Sequence, residues 1–170
     1  ETIPHFDART RRMLIDCSSL DWSEINPDIF GSMFQAVINE NQRRRLGQHY
    51  TSVPNILKVL RPLFLAPLEE EFIKSRHNEK RLKELLIRLG NIQVFDPACG
   101  SGNFLIIAFK ELRQLEIRIL QAIRELDNDQ QMMVSNIRLD QFYGIEIDDF
   151  AQEIALLSLW LAEHQMNREF

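Results

Sequence analysis

The sequence lacks what a self-sufficient nucleic-acid binder carries. Its 20 Lys and Arg are outnumbered by 25 Asp and Glu, giving a formal net charge of −5. A free-standing DNA-binding surface shows a basic patch or stripe instead. The one compact basic cluster, Arg43-Arg44-Arg45, reads as a solvated face. If the chain serves a DNA enzyme, most of the DNA contact lies elsewhere. No run of eighteen apolar residues occurs, which excludes a membrane-spanning helix. The start, Glu-Thr-Ile-Pro-His-Phe-Asp, has no apolar signal-peptide core. It has no initiator Met either, so the chain is expected to be an excised piece. The 2 cysteines, Cys17 and Cys99, are far apart, match no metal-ligand spacing and give no disulfide framework. A reducing cytoplasm and no metal centre are the expectation.

What is present suits one soluble domain with a good core: 170 residues, 45% hydrophobic and 26% charged. The most informative stretch runs from Asn91 to Phe104. Ile92, Val94 and Phe95 form a short β-branched and aromatic run, expected as a buried strand. Asp96-Pro97 ends it, since Pro97 cannot donate to a sheet ladder. Ala98-Cys99-Gly100-Ser101-Gly102 is a small-residue turn that lets a ligand approach the backbone. A long helix is expected from about Asn103, with Leu105, Ala108, Leu112, Leu115, Ile119, Ala122 and Leu126 as one apolar stripe packed on a sheet. Strand, glycine turn and helix together present free N–H groups and a helix N-terminus to an anion. Two familiar versions are excluded. A dinucleotide fingerprint needs a third glycine where Leu105 stands, and a P-loop needs a Gly-Lys-Ser/Thr triplet that is absent.

Two further sites accompany it. Phe142, Tyr143 and Ile145 predict a second buried strand with Glu146 at its carboxyl end, the edge where ligands of an open parallel sheet sit. A carboxylate there can accept both hydroxyls of a ribose. Asp148 and Asp149 are expected to cap the helix that follows. Upstream, Ser52 can cap a helix with Pro54 in its first turn, placing the Thr51 hydroxyl at another anion-suited helix start. Pro62 predicts a kink or early end, Pro67 a break. Residues 68–90 read as a charged amphipathic segment buried through Leu82, Leu85, Leu86 and Leu89, with Gly90 ending it. Residues 1–42 read as a helical lead-in, with a helical apolar pattern from Pro27 to Ile38. The dipeptide Met132-Met133 reads as packing or loop. The last segment, 150–166, is apolar nearly all round and is expected to be buried or covered.

Asp-Pro-Ala-Cys-Gly-Ser-Gly-Asn-Phe-Leu closely resembles motif I of the amino-methylating DNA methyltransferases, which wraps the methionine part of S-adenosylmethionine. Gly-Gln-His-Tyr-Thr-Ser resembles motif X of the same enzymes, with Ser52 where proline is common. Tyr-Gly-Ile-Glu-Ile-Asp resembles their motif II. The resemblance implies a cofactor site of Tyr50, Thr51, Asp96, Ala98, Gly100, Gly102, Glu146 and Ile147. In it Glu146 would hold the ribose and Ile147 would pack on the adenine. Glu146 follows Gly102 at more than twice the spacing of about 20 residues usual in dinucleotide folds, an excess absorbed by the long helix and loop.

The order X, I, II is that of the γ group of adenine-N6 enzymes. The text around Ile-Phe-Gly-Ser-Met-Phe-Gln and Arg-Arg-Leu-Gly-Gln-His-Tyr-Thr-Ser resembles the single-chain MmeI-like restriction–modification proteins. The implied fold is α/β, the N-terminal part of a Rossmann-like class I S-adenosylmethionine-dependent methyltransferase over 43–170, preceded by the helical segment 1–42. The implied partners are double-stranded DNA, the remainder of the methyltransferase and a target-recognition domain. The Asn/Asp-Pro-Pro-Tyr/Phe motif that receives a flipped-out base is absent, so no catalytic residue is assigned. An RNA or protein methyltransferase sharing the cofactor core, or a non-catalytic nucleotide-binding module, are the alternative readings.

Overall fold

The structure is a computed structural model that describes residues 5–22, 25, 26, 29, 51–127 and 134–168. Apart from Ile29, the helix expected from Pro27 lies outside them, as do Arg43-Arg44-Arg45, Tyr50 and Met132-Met133. In order, the described elements are α1 (Ala8–Ser18), α2 (Val53–Leu60), a π-helical turn (Arg61–Leu65), α3 (Ala66–Ser75), α4 (Glu79–Gly90), β1 (Val94–Asp96), α5 (Asn103–Asp127), a 3-10 turn (Leu139–Gln141), β2 (Phe142–Gly144) and α6 (Asp149–Asn167). The strands pair in parallel, with Val94 opposite Phe142 and Phe95 opposite Tyr143. The long α5 supplies the crossover that parallel strands require.

Everything is arranged about α5. Beside the expected stripe, Ile106, Ile107 and Phe109 widen the apolar face near the helix start, as the sequence suggests. Leu105 through Phe109 and then Leu112 are all buried, because α2, α4, α6 and both strands pack on this helix. Phe109 meets Phe142 edge to face, with ring centroids 5.4 Å apart. Val94 and Phe142 therefore face α5, and the alternation of a strand sends Phe95 and Tyr143 to the opposite, exposed face. Ile145 is exposed too, which corrects the expectation of two fully buried strands. On α6 the buried stripe is Ala151, Ala155, Ser158, Leu159, Ala162 and Met166, while Leu156, Leu157 and Trp160 are exposed. One face is buried as expected, and the exposed apolar face is the part the expectation left to a covering element. Small residues let α6 approach α5 closely.

α2 ends at Leu60, just before Pro62, as expected, but the break expected at Pro67 does not occur. The chain stays helical from α2 to α3, with the Ala66 N–H donating to the Arg61 carbonyl five residues back. Pro62, which has no N–H to give, stands at the start of this wider turn. Pro67 sits in the first turn of α3. Residues 68–90 are two helices, the second capped by Asn78, which accepts from the Arg81 N–H at 3.1 Å. Gly90 is the last residue of α4, but its role is closeness: a Cβ there would stand 3.2 Å from that of Asn136.

Polar side chains fix the return of the chain into β2. Gln141 donates to the carbonyls of Leu89, Gly90 and Ile92 at 3.3, 3.0 and 2.8 Å. It accepts from the Arg138 N–H at 2.6 Å. Glu116 on α5, fully buried, accepts from Arg113 at 2.7 Å, the Ser135 hydroxyl at 2.6 Å and the Asn136 N–H at 2.6 Å. Arg113 reaches on to Asn167 at the end of α6, 2.8 Å away. At the other end of the chain, α1 buries no residue. The segment after it is held by Gln165, whose amide donates to the carbonyls of Trp22 and Ile25. Among the described residues no helix is long and apolar enough to cross a membrane.

Candidate functional site

The turn between β1 and α5 is knitted to the end of β2. The Ile145 N–H donates to the Asp96 carbonyl at 3.0 Å, and the Cys99 N–H donates to the Ile145 carbonyl at 3.0 Å. These bonds carry the strand pairing beyond its formal end. The Asp96 carboxylate accepts from the Ala98 N–H at 3.0 Å, a turn in which the aspartate satisfies a backbone donor that Pro97 cannot compete for. The Gly102 N–H closes on the Cys99 carbonyl at 2.8 Å. Gly100 and Gly102 have φ of 55° and 80°, the left-handed region where a side chain is strained.

Glu146 spans the two loops. One oxygen accepts from the Gly100 N–H at 2.8 Å. The other accepts from the N–H groups of Ile147 and Asp148 at 2.8 and 3.0 Å. A carboxylate offers about four lone-pair sites, so three are already engaged. Accepting two ligand hydroxyls as well requires release of one backbone donor. Asp148 caps α6 as expected, accepting from the Ala151 N–H at 2.9 Å, while Asp149 is in the first turn. Ile147 is 85% exposed and ready to cover a ring.

Two glycines are explained by neighbours inside the protein. A Cβ on Gly102 would lie 2.9 Å from that of Ala155, so its absence lets the turn rest directly on α6. A Cβ on Gly144 would lie 2.6 Å from the Cys99 sulfur. Sequence reasoning missed Gly144 and Cys99; the available signal was a glycine inside a strand pattern, which marks close approach. Burial pushes the Cys99 thiol up, and the carboxylates of Asp96 and Glu146 push it further.

Asp96, Ala98, Gly100, Gly102 and Glu146 are thus brought together by backbone and carboxylate bonds. Thr51 is exposed just before α2, a helix that packs on α5. Ser52 occupies the N-cap position in an extended conformation but makes no side-chain cap bond, which corrects the capping expectation. Pro54 is in the first turn as expected. Tyr50 lies outside the described residues. Among the described residues no cluster of His, Cys, Asp or Glu could hold a metal ion.

Comparison with known proteins follows the same lines. The family model described as the MmeI DNA-methyltransferase domain matches residues 72–170. A protein of Bacillus subtilis named DNA methyltransferase A is 54% identical, over 99% of this chain and 20% of its own length. A putative type II restriction enzyme and methyltransferase of Methanocaldococcus jannaschii is 36% identical, over 82% of this chain and 14% of its own length. The solved structure of the type IIL restriction–modification enzyme MmeI in complex with DNA superposes with a TM-score of 0.87 at 45% identity, over 99% of this chain and 23% of that one. The chain therefore spans about a fifth of the length of such relatives. Motif text, site geometry and these matches agree: the chain belongs to the family of MmeI DNA-methyltransferase domains.

Proposed function

We propose that this chain is the S-adenosylmethionine-binding part of a restriction–modification methyltransferase that methylates adenine N6 in double-stranded DNA. The observation that carries the reading is the Glu146 carboxylate joined to the Gly100 N–H at the carboxyl edge of the two strands. The residues present fit the cofactor. The left-handed glycine turn leads into the α5 N-terminus, which offers donors to a carboxylate. Glu146 offers an acceptor to ribose hydroxyls, exchanging the Gly100 donor for one of them, and exposed Ile147 offers an apolar surface to adenine. Asp96 and Ala98 shape the turn, while Tyr50 and Thr51 close the amino-acid end by resemblance to motif X. When bound, the cofactor supplies a methyl group activated by its sulfonium.

Residues 43–170 form the N-terminal part of the methyltransferase and 1–42 lead into it, in a Rossmann-like arrangement completed by the rest of the protein. The base-receiving motif and the target-recognition surface belong to that remainder, which also makes most of the DNA contact. The setting is cytoplasmic. Names of relatives support the reading: the MmeI structure contains DNA, and a 21% identical protein of Escherichia coli is named adenine-specific methyltransferase BrxX. The test is transfer of a labelled methyl group by the full-length protein to duplex DNA, followed by nucleoside analysis. N6-methyladenine is expected. Label on cytosine, or on RNA or protein in place of DNA, would contradict it.

A further inference from the structure

The face of β2 that looks onto α5 is filled from an unexpected direction. Strand alternation puts Gly144 on the same face as Phe142, whose ring packs on Phe109 of α5. Gly144 brings no side chain to that face, as a strand glycine does where another chain segment comes close. Here the segment is the glycine turn. A Cβ on Gly144 would stand 2.6 Å from the Cys99 sulfur, 3.0 Å from the Cys99 Cβ and 3.2 Å from Leu105. The Cys99 thiol takes the place that a Gly144 side chain would need.

The polar bonds between turn and strand lie directly beside this contact. The Cys99 N–H donates to the Ile145 carbonyl at 3.0 Å, and the Gly100 N–H to the Glu146 carboxylate at 2.8 Å. Cys99 immediately precedes that second donor, and Gly144 stands two residues before its acceptor. Resting on the cofactor reading, we propose that Cys99 and Gly144 are a pair of positioning residues. Thiol and bare backbone together set the gap between the glycine turn and Glu146, and so how well Glu146 reaches the ribose of a ligand seated on the turn. A methyl group on Gly144 cannot share its place with the sulfur at 2.6 Å, so one of the two must shift. The turn then moves off β2, and the ligand moves away from Glu146 with it.

The test is calorimetric titration of the full-length protein with S-adenosylhomocysteine and with its 2′,3′-dideoxy analogue, which offers Glu146 no hydroxyl. The unsubstituted protein should prefer S-adenosylhomocysteine about tenfold or more, as for hydrogen bonds to a charged group. Gly144→Ala should reduce that preference to about twofold or less, and adding Cys99→Ala, which removes the sulfur, should return it to about fivefold or more. General damage to the fold would weaken both probes alike and leave the preference intact. Should Gly144→Ala alone fail to fold, a double variant that folds and keeps the preference supports the pair. Full preference in Gly144→Ala, or a double variant that lacks the preference or does not fold, would overturn it. No preference in the unsubstituted protein would instead sink the ribose role of Glu146, and with it the reading on which this proposal rests.

Discussion

The turns before α5 and before α2 are both helix starts suited to an anion, yet they are built differently. The first is held from three sides. Its backbone bonds to Ile145, its Gly100 N–H meets Glu146, and Gly102 rests against Ala155. The second has an exposed Thr51 and a Ser52 that makes no cap bond. The difference teaches that one half of the proposed pocket is pre-organised by the fold. The other half is placed only by the packing of α2 on α5. Ligand-binding energy is conserved where the groups are already ordered and is partly consumed where they are not.

Substitutions can break or sharpen this contrast. The largest effect is expected at Glu116, which holds the crossover that returns the chain to β2. Glu116→Ala leaves Arg113 buried without its carboxylate and should destabilise the protein by about 3–5 kcal/mol, read from a denaturant midpoint. A loss below about 1 kcal/mol, the value of an exposed pair, would remove the clamp from the account. Gly102→Ala should cost about 2–4 kcal/mol, combining left-handed strain with crowding against Ala155. Stability unchanged in that variant would mean that the turn does not rest on α6.

Smaller effects fall on binding. Glu146→Ala should weaken S-adenosylmethionine by about 1.5–3 kcal/mol, the range for a charged hydrogen bond. Thr51→Val should cost about 0.5–1.5 kcal/mol, as for one neutral hydrogen bond; a larger loss there than at Glu146 would reverse the comparison of the two turns. The smallest signal is chemical. The raised pKa of Cys99 leaves less thiolate at any pH below it, so iodoacetamide should label Cys99 more slowly than exposed Cys17 at pH 8. Mass spectrometry of digests reads the two rates, and equal rates would contradict the burial of the thiol.

Much of the ordered half was legible in the sequence. Ile92 to Asn103 spelled strand, turn and helix, and Phe142 to Asp148 spelled strand, carboxylate and cap. Each signal is local, because a few neighbouring residues determine it. The strands proved shorter than their apolar runs, Val94–Asp96 and Phe142–Gly144, since pairing sets their ends. What stayed hidden depends on distant partners. Nothing beside Gln141 announces that it joins three carbonyls about fifty residues upstream in the chain. Nothing beside Glu116 announces Ser135 and Asn136. Pro67 misled because the chain runs on as helix from the π turn before it and proline is tolerated in a first helical turn. The crowding of Gly102 on Ala155 adds a packing role to that glycine, so a Gly102 substitution reports on folding before it reports on a ligand.

By the reading proposed above, Glu146 and the glycine turn form a ready-made cofactor site. Titration of S-adenosylmethionine into the full-length protein and its Glu146→Ala variant, with thermal melts of both, tests it most directly. Saturable binding that is about tenfold or more weaker in the variant, with a cooperative melt showing that the variant is still folded, is the predicted result. Equal affinity in the two proteins would contradict it.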